Sequence, residues 1–374
     1  MCGNGNRATI YNTIKMADPK LKLGNDIWAT KQKSLLAYND EGGNFKSLPF
    51  QVDRISGGTY VGRNGLIQTA ASNEPRVDFY GNTKGALLLE PQQTNYAAYS
   101  AQFDNSYWTK ATSDSTPNPT VTANVATSPD GGSNADRVQL TAPPNNEWAV
   151  VKRDGINTGA TVGSKLQQSL YLKAYDSSQV GKNVDVYMYD FSNTIYKTVY
   201  QYTLTSDWER VVVEHTISGA NTSTNIQFAF GKARNSVGGS TQSETATDFL
   251  VWGGQLEKGN YPTSIIPTSS AAVTRVQDKV LNGGNANLFN DTEGTLFVDL
   301  ENFDQNTREL TLSNGTSSNR VTIIFYGGSA VVRFYVANGG VAQADSVFSI
   351  SYTFDQRNKI AFRYKQNDFK AYIN

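Results

Sequence analysis

Three stretches decide the fold: Leu170-Tyr-Leu-Lys-Ala-Tyr175, Val184-Asp-Val-Tyr-Met-Tyr189 and Ile226-Gln-Phe-Ala-Phe230. Each alternates apolar and polar or aromatic positions with a period of two, the spacing at which successive side chains of a strand point to opposite faces. The alternation places Leu170, Leu172 and Ala174 on one face of the first stretch. It turns Val184, Val186 and Met188 inward in the second, and Ile226, Phe228 and Phe230 inward in the third. Asp207-Trp-Glu-Arg-Val-Val-Val-Glu-His-Thr-Ile217 reads as a further long strand, with His215 in phase with Val211, Val213 and Ile217 on its apolar face. Many short alternating strands with polar turns and few helix signals predict an all-β chain, built on an antiparallel jelly-roll sandwich.

Outward from this centre the chain divides into five parts. Residues 1–46 are polar and without clear alternation, and Leu21 to Asn39 holds at most a short helix whose apolar positions are too sparse to stand alone. This part reads as a largely irregular N-terminal attachment arm that orders against a partner. Residues 47–95 read as a strand-turn connector, with turn signals at Gly57-Gly58 and Asn64-Gly65. Within it, Ala86-Leu-Leu-Leu89 looks like a short buried strand that Glu90-Pro91 stops. Residues 96–268 form the jelly-roll module and 269–290 a linker. Residues 291–374 read as a second, partial sandwich with strands at Gly294–Leu300, Arg320–Tyr326, Ala330–Val336, Asn358–Tyr364 and Phe369–Asn374.

Composition removes several classes of function. The 374 residues carry 33 Lys+Arg and 33 Asp+Glu, a formal net charge of zero. Neither nucleic acid nor an anionic membrane surface is an expected partner for a chain without a basic block. No stretch approaches the roughly 18 apolar residues of a membrane span, so membrane insertion is not expected. Cys2 and His215 are single, so an intrachain disulfide and the usual zinc sites are ruled out, and any imidazole chemistry would have to use His215. Its place on an apolar face makes it a core histidine. Met1 to Arg7 has no apolar run after its first charge and does not read as a secretory signal, and Cys2 does not follow a lipoprotein-type segment. Gly (32), Tyr (20) and Phe (17) abound while only 18% of residues are charged, as expected of an extracellular-type β protein whose surface is made polar by hydroxyls and amides.

Aromatic faces are the candidate chemistry. A pyranose stacks its C–H groups on an aromatic ring while amides and carboxylates hold its hydroxyls. The outward side of two strands carries Tyr171 and Tyr175, then Asp185, Tyr187 and Tyr189; were those strands neighbours, they would form a tyrosine strip beside a carboxylate. Trp148 stands in a polar loop next to Asn146 and Glu147. These six residues, Trp148, Tyr171, Tyr175, Asp185, Tyr187 and Tyr189, are the candidate glycan-binding set. Cross-strand pairing or burial between subunits is the competing role for the tyrosines. Trp108, Trp208 and Trp252 are assigned to cores. Oxygen-rich loops at Asp130–Asp136 and Asn290–Glu293 lack the spacing of a dedicated calcium site, and Asp130-Gly-Gly reads as a tight turn. No metal and no cofactor is expected, and no glycine pair opens a phosphate loop.

A resemblance then becomes visible in an ordered series of blocks. Leu66-Ile-Gln-Thr-Ala-Ala-Ser-Asn-Glu-Pro-Arg-Val-Asp78 and Gly85–Asn95 resemble the segment that precedes carbohydrate-binding-like modules in bacteriophage fibre and spike proteins. Tyr107-Trp-Thr-Lys110, Val121–Asn124, Ser128–Val138, Leu170–Ala174, Asp207–Arg210, Trp252–Glu257 and Tyr261–Thr268 resemble the module itself. The tail from Glu293 resembles the opening half of a concanavalin-A-like (laminin-G-type) sandwich. The resemblance implies a structural virion fibre of the head or tail, usually a homotrimer. Residues 1–46 would contact other virion proteins, and the β modules would project toward host-surface glycans. The rival readings are a secreted or cell-surface bacterial glycan-binding module and a non-catalytic part of a polysaccharide depolymerase. No enzyme is expected. Asp299-Leu-Glu301 sets two carboxylates roughly 6.5–7 Å apart on one strand face, within the inverting-glycosidase range, but laminarinase-type sandwiches carry a further acid where this chain has Phe297.

Overall fold

The computed structural model describes residues 29–31, 34–37, 48–113, 116–143, 147–190, 195–217, 226–233, 245–283, 289–301, 308–326, 331–349 and 357–374. Nearly all ordered structure in them is strand, apart from one short 3₁₀ turn at Ser177–Gln179, and every paired strand is antiparallel. The central sandwich is built from ten strands: β1 (Thr109–Thr112), β2 (Thr120–Ala126), β3 (Ala135–Leu140), β4 (Ala149–Ile156), β5 (Lys165–Ala174), β6 (Asn183–Asp190), β7 (Ile195–Thr203), β8 (Glu209–Thr216), β9 (Ile226–Lys232) and β10 (Thr247–Lys258). They form two five-stranded sheets, β2-β3-β10-β5-β8 and β7-β6-β9-β4-β1.

The inward residues read from the alternation all lie in one core. Leu170, Leu172, Ala174, Val184, Val186, Met188, Ile226, Phe228 and Phe230 pack there with Trp108, Phe103 and Phe249. The aromatic centre is a chain of tilted and edge-on contacts: Phe103–Trp108 at 5.0 Å, Trp108–Phe228 at 5.2 Å and Phe103–Phe230 at 5.2 Å. A polar tie crosses the two sheets: Gln168 Nε2 of β5 donates to the Ala229 carbonyl of β9 at 3.1 Å. His215 is buried on the apolar side of β8, opposite Leu166, as expected.

The flanking segments depart from their expected roles. Ala29–Lys31 and Ser34–Ala37 are strands rather than part of a helix, in a sheet continued by Leu48–Asp53 and then Lys279–Leu281; the remainder of the arm lies outside the described residues. Val273–Arg275 pairs with Gln93–Asn95. The stretch read as a linker therefore closes back, strand by strand, onto the connector. Ala86–Leu89 is not a buried strand, since Leu89 is 49% exposed. The buried residue is Glu90, the position read as a stop signal.

Glu90 anchors a clasp of five charged side chains, all of them buried. Its carboxylate pairs with Arg76 at 2.6 Å and Arg275 at 2.7 Å. Asp278 pairs with Arg54 at 2.7 Å and also with Arg76. The remaining capacity of Glu90 is taken by the Ser264 amide (2.7 Å) and hydroxyl (2.6 Å). The two arginines outweigh the burial penalty and hold the Glu90 carboxyl below its ordinary range. Gly58 lies against the stems of all three arginines: a Cβ there would come within 3.2–3.3 Å of Arg54, Arg76 and Arg275.

The C-terminal region forms a second, smaller sandwich with its own core. Its strands are β11 (Glu293–Glu301), β12 (Arg308–Ser313), β13 (Arg320–Tyr326), β14 (Val331–Asn338), β15 (Val341–Ser349), β16 (Arg357–Lys365) and β17 (Lys370–Ile373). They make the sheets β12-β13-β14-β15 and β11-β16-β17. Ile323, Phe325, Val332, Phe334, Ile360, Phe362 and Tyr364 fill the space between them.

Candidate functional site

The six candidate residues fall on two different sheets. β5, which carries Tyr171 and leads into Tyr175, belongs to the first sheet, while β6, with Asp185, Tyr187 and Tyr189, belongs to the second. The strands are not neighbours, so the continuous tyrosine strip does not exist. Alternation gave the correct outward phase but carries no information about which strands pair.

On the first sheet, Tyr171 packs against Trp252 (5.7 Å, edge-on) in a cluster with Ala135 and Ile265 that also takes in Trp208 and Ile67. Burial raises the pKa of its phenol. Tyr171 thus helps seat the connector on the outer face of the sheet. Tyr175 is 39% exposed, and the Arg137 guanidinium lies over its ring at 3.7 Å. Arg137 is in turn held by both oxygens of Asp248.

On the second sheet, Tyr187 and Tyr189 are 7% and 9% exposed, not solvated. Tyr187 packs with Val150, Ala229 and Ala233, and Trp148 lies against that cluster. Asp185 is buried, accepting from the Ala233 amide (2.8 Å) and from Gln201 Nε2 (3.2 Å), and burial raises its pKa. Nearby, the Lys232 ammonium is buried with its Nζ donating to the Asn183 carbonyl at 2.6 Å; desolvation lowers its pKa to about 8, with Asp185 opposing that shift.

The accessible part of this face is carried by β4 and the residue that precedes it. Trp148, Val150, Lys152 and Asp154 share one side at period two. The backbone of Trp148 is clamped to Ser113 in both directions, its amide donating to Ser113 Oγ (2.9 Å) and its carbonyl accepting from the Ser113 amide (3.1 Å). Lys152 Nζ lies 5.6 Å from the indole centroid and 2.8 Å from Asp154 Oδ2. Gln227 Nε2 donates to Asp154 Oδ1 at 2.5 Å. The result is a half-buried indole on a rigid strand, with an ammonium, a carboxylate and an amide in line beyond it. Glu147 points elsewhere, accepting from Thr116, and Asn146 lies outside the described residues. Lys152, Asp154 and Gln227 escaped the sequence reading, which stopped at the Pro143–Trp148 loop. Extending the period-two alternation four residues past Trp148 would have found Lys152, and six would have found Asp154.

Other oxygen-rich and acidic positions are engaged within the fold. Asp299 is held by Arg357 through two bonds of 2.6 and 2.8 Å. Asp136 accepts from the amides of Phe103 (2.6 Å) and Asn124 (3.0 Å). Asp130 caps its own turn through the Gly132 amide (2.9 Å). Three backbone carbonyls, of Asp104, Asn105 and Trp108, converge on the Lys110 ammonium at 2.8, 2.9 and 3.0 Å. Among the described residues no group of three or more His, Cys, Asp or Glu side chains is arranged to hold a metal ion.

Fold and face together define the class: a protein of tandem antiparallel β-sandwiches with an aromatic and polar strip on one outer sheet. No family model matches the chain, and no curated protein matches it. Among solved structures it is similar to a family 11 carbohydrate-binding module from Clostridium thermocellum in complex with a β-1,3-1,4-mixed-linked tetrasaccharide. The identity is 11% and the TM-score 0.31, over 48% of this chain and 99% of that one. It is similar to a carbohydrate-binding module of the β-sandwich superfamily (11% identity, TM-score 0.33, 64% of this chain and 97% of that one). The enzymatically active domain of tailspike protein 4 of bacteriophage CBA120 is matched at 14% identity and TM-score 0.30, over 44% of this chain and 21% of that one.

Proposed function

We propose that this chain is a non-catalytic structural fibre protein of a bacteriophage particle. Its N-terminal arm anchors it to the particle, and its sandwiches adhere to host-surface glycans. The ordered sequence blocks support the virion assignment. The observation that carries glycan binding is the Trp148–Lys152–Asp154 strip. An indole already packed against Val150, Tyr187 and Ala229 loses little further freedom when a sugar stacks on it, and the flanking ammonium, carboxylate and amide suit hydroxyl groups. The engagement of Asp299 by Arg357 through two hydrogen bonds supports binding without hydrolysis. Oligomerisation, expected to be trimeric, turns weak single contacts into useful adhesion by raising effective concentration.

The test is binding of the full chain to an array of host-surface polysaccharides, with Trp148→Ala as the variant. Loss of the indole should weaken binding roughly tenfold, the usual consequence of truncating an aromatic anchor, while the thermal midpoint changes little. Absence of binding to every polysaccharide, or binding indifferent to Trp148→Ala, overturns the reading.

A further inference from the structure

The loop from Phe103 to Trp108 is pinned by opposite charges at its two ends. It leads into β1, the edge strand of its sheet, and both Phe103 and Trp108 belong to the aromatic centre of the core. At the start of the loop the Phe103 amide donates to the buried Asp136 carboxylate at 2.6 Å, which also accepts from the Asn124 amide at 3.0 Å. Further on, the carbonyls of Asp104, Asn105 and Trp108 turn toward Lys110 Nζ, at 2.8, 2.9 and 3.0 Å. Lys110 is directly opposite the core residue Val151, so it stands on the inner side of the edge strand, half-buried at the rim of the core.

Donors and acceptors match in number and in kind. A primary ammonium carries three N–H donors and no acceptor, and three carbonyl oxygens stand within ordinary hydrogen-bond distance of its one nitrogen. A planar guanidinium cannot aim three N–H groups from one nitrogen, and a water molecule has one donor too few. Burial lowers the pKa of Lys110, and the charges of Asp104 and Asp136 oppose that shift. The bonded atoms themselves are carbonyl oxygens, whose geometry the loop fixes independently of any ion pair.

We propose that this loop is a receptor for a primary ammonium, which the chain fills with its own Lys110. In a chain without that side chain, the three carbonyls keep their convergence, because Asp136 still holds the start of the loop and the Trp108 indole, donating to the Tyr99 carbonyl at 3.0 Å, still holds its end. Their partial negative charges are then unanswered at one point, which is costly beside a core. A short alkylammonium from solution takes the place of the lysine head group and restores the three bonds.

The experiment is chemical rescue in the full chain. In tetramethylammonium chloride, whose cation has no N–H group, Lys110→Ala should lower the thermal midpoint of the first sandwich by several degrees. Methylammonium chloride at the same ionic strength should return part of that loss, by an amount that grows with the logarithm of its concentration. The native chain, its receptor already filled, should show no such gain. A variant that is unfolded in the first salt and folded in the second is the same rescue in a stronger form. Lys110→Arg keeps the charge but not the three-donor head group; it should melt below the native chain and gain nothing from methylammonium. The proposal is overturned if Lys110→Ala melts with the native chain, if the two salts act alike on it, if methylammonium raises the native midpoint by as much, or if Lys110→Arg is as stable as the native chain.

Discussion

At the scale of single residues, Glu90 shows how a position read as punctuation becomes a keystone. Its carboxylate answers two buried guanidiniums and accepts from Ser264 at the same time. Replacing it with Gln keeps the shape but leaves Arg76 and Arg275 short of a counter-charge in a site with almost no water. Removing one partner of such a buried group typically costs about 3–5 kcal/mol. Glu90→Gln should therefore lower the denaturation midpoint strongly, and urea titration followed by tryptophan fluorescence measures it; a loss below about 1 kcal/mol would show that the clasp is not a major source of stability. The pH dependence has a definite sign. The folded pKa of Glu90 lies below its unfolded value, so its stabilising contribution is present above the unfolded pKa and lost as pH falls through the folded one. None of this was visible beforehand. Arg54, Arg76, Glu90, Arg275 and Asp278 are spread over more than two hundred positions, and no periodicity links them.

At the scale of elements, alternation specifies faces but leaves pairing open. It placed Val184, Val186 and Met188 in the core correctly, because burial of one face fixes phase. It could not show that β5 and β6 belong to different sheets, nor that the outer side of β6 is also buried. That second burial places Asp185 out of water where an open sheet would have left it solvated, while Lys232, in phase with Phe228 and Phe230, is buried on the inner side of its strand. The consequence is an alkaline effect. Lys232 titrates at about 8 in the folded chain, below its ordinary 10.5. Between these values the unfolded chain binds more protons, so stability rises with pH across the window and the penalty is fully present below pH 8. A Lys232→Met variant lacks this dependence. Relative to it, the native chain should gain about 2 kcal/mol between pH 7.5 and 9.5, measured by chemical denaturation at the two pH values. A constant difference between the two proteins would place the ammonium in contact with solvent.

At the scale of the whole molecule, the two sandwiches share no core residue among the described residues. The cluster around Phe103, Trp108 and Phe230 and the cluster around Phe325, Phe334 and Phe362 have no residue in common. The clasp ties the connector to the segment that follows the first sandwich, through Arg54, Arg76 and Glu90 on one side and Ser264, Arg275 and Asp278 on the other. Independent cores unfold independently unless an interface couples them. Scanning calorimetry of the full chain should accordingly resolve two transitions. Glu90→Gln should shift one of them downward by several degrees and leave the other in place. Phe334→Ala, which opens a cavity in the second core, should do the reverse at a cost of about 3–5 kcal/mol. A single transition moved equally by both substitutions would mean that the two sandwiches fold as one body.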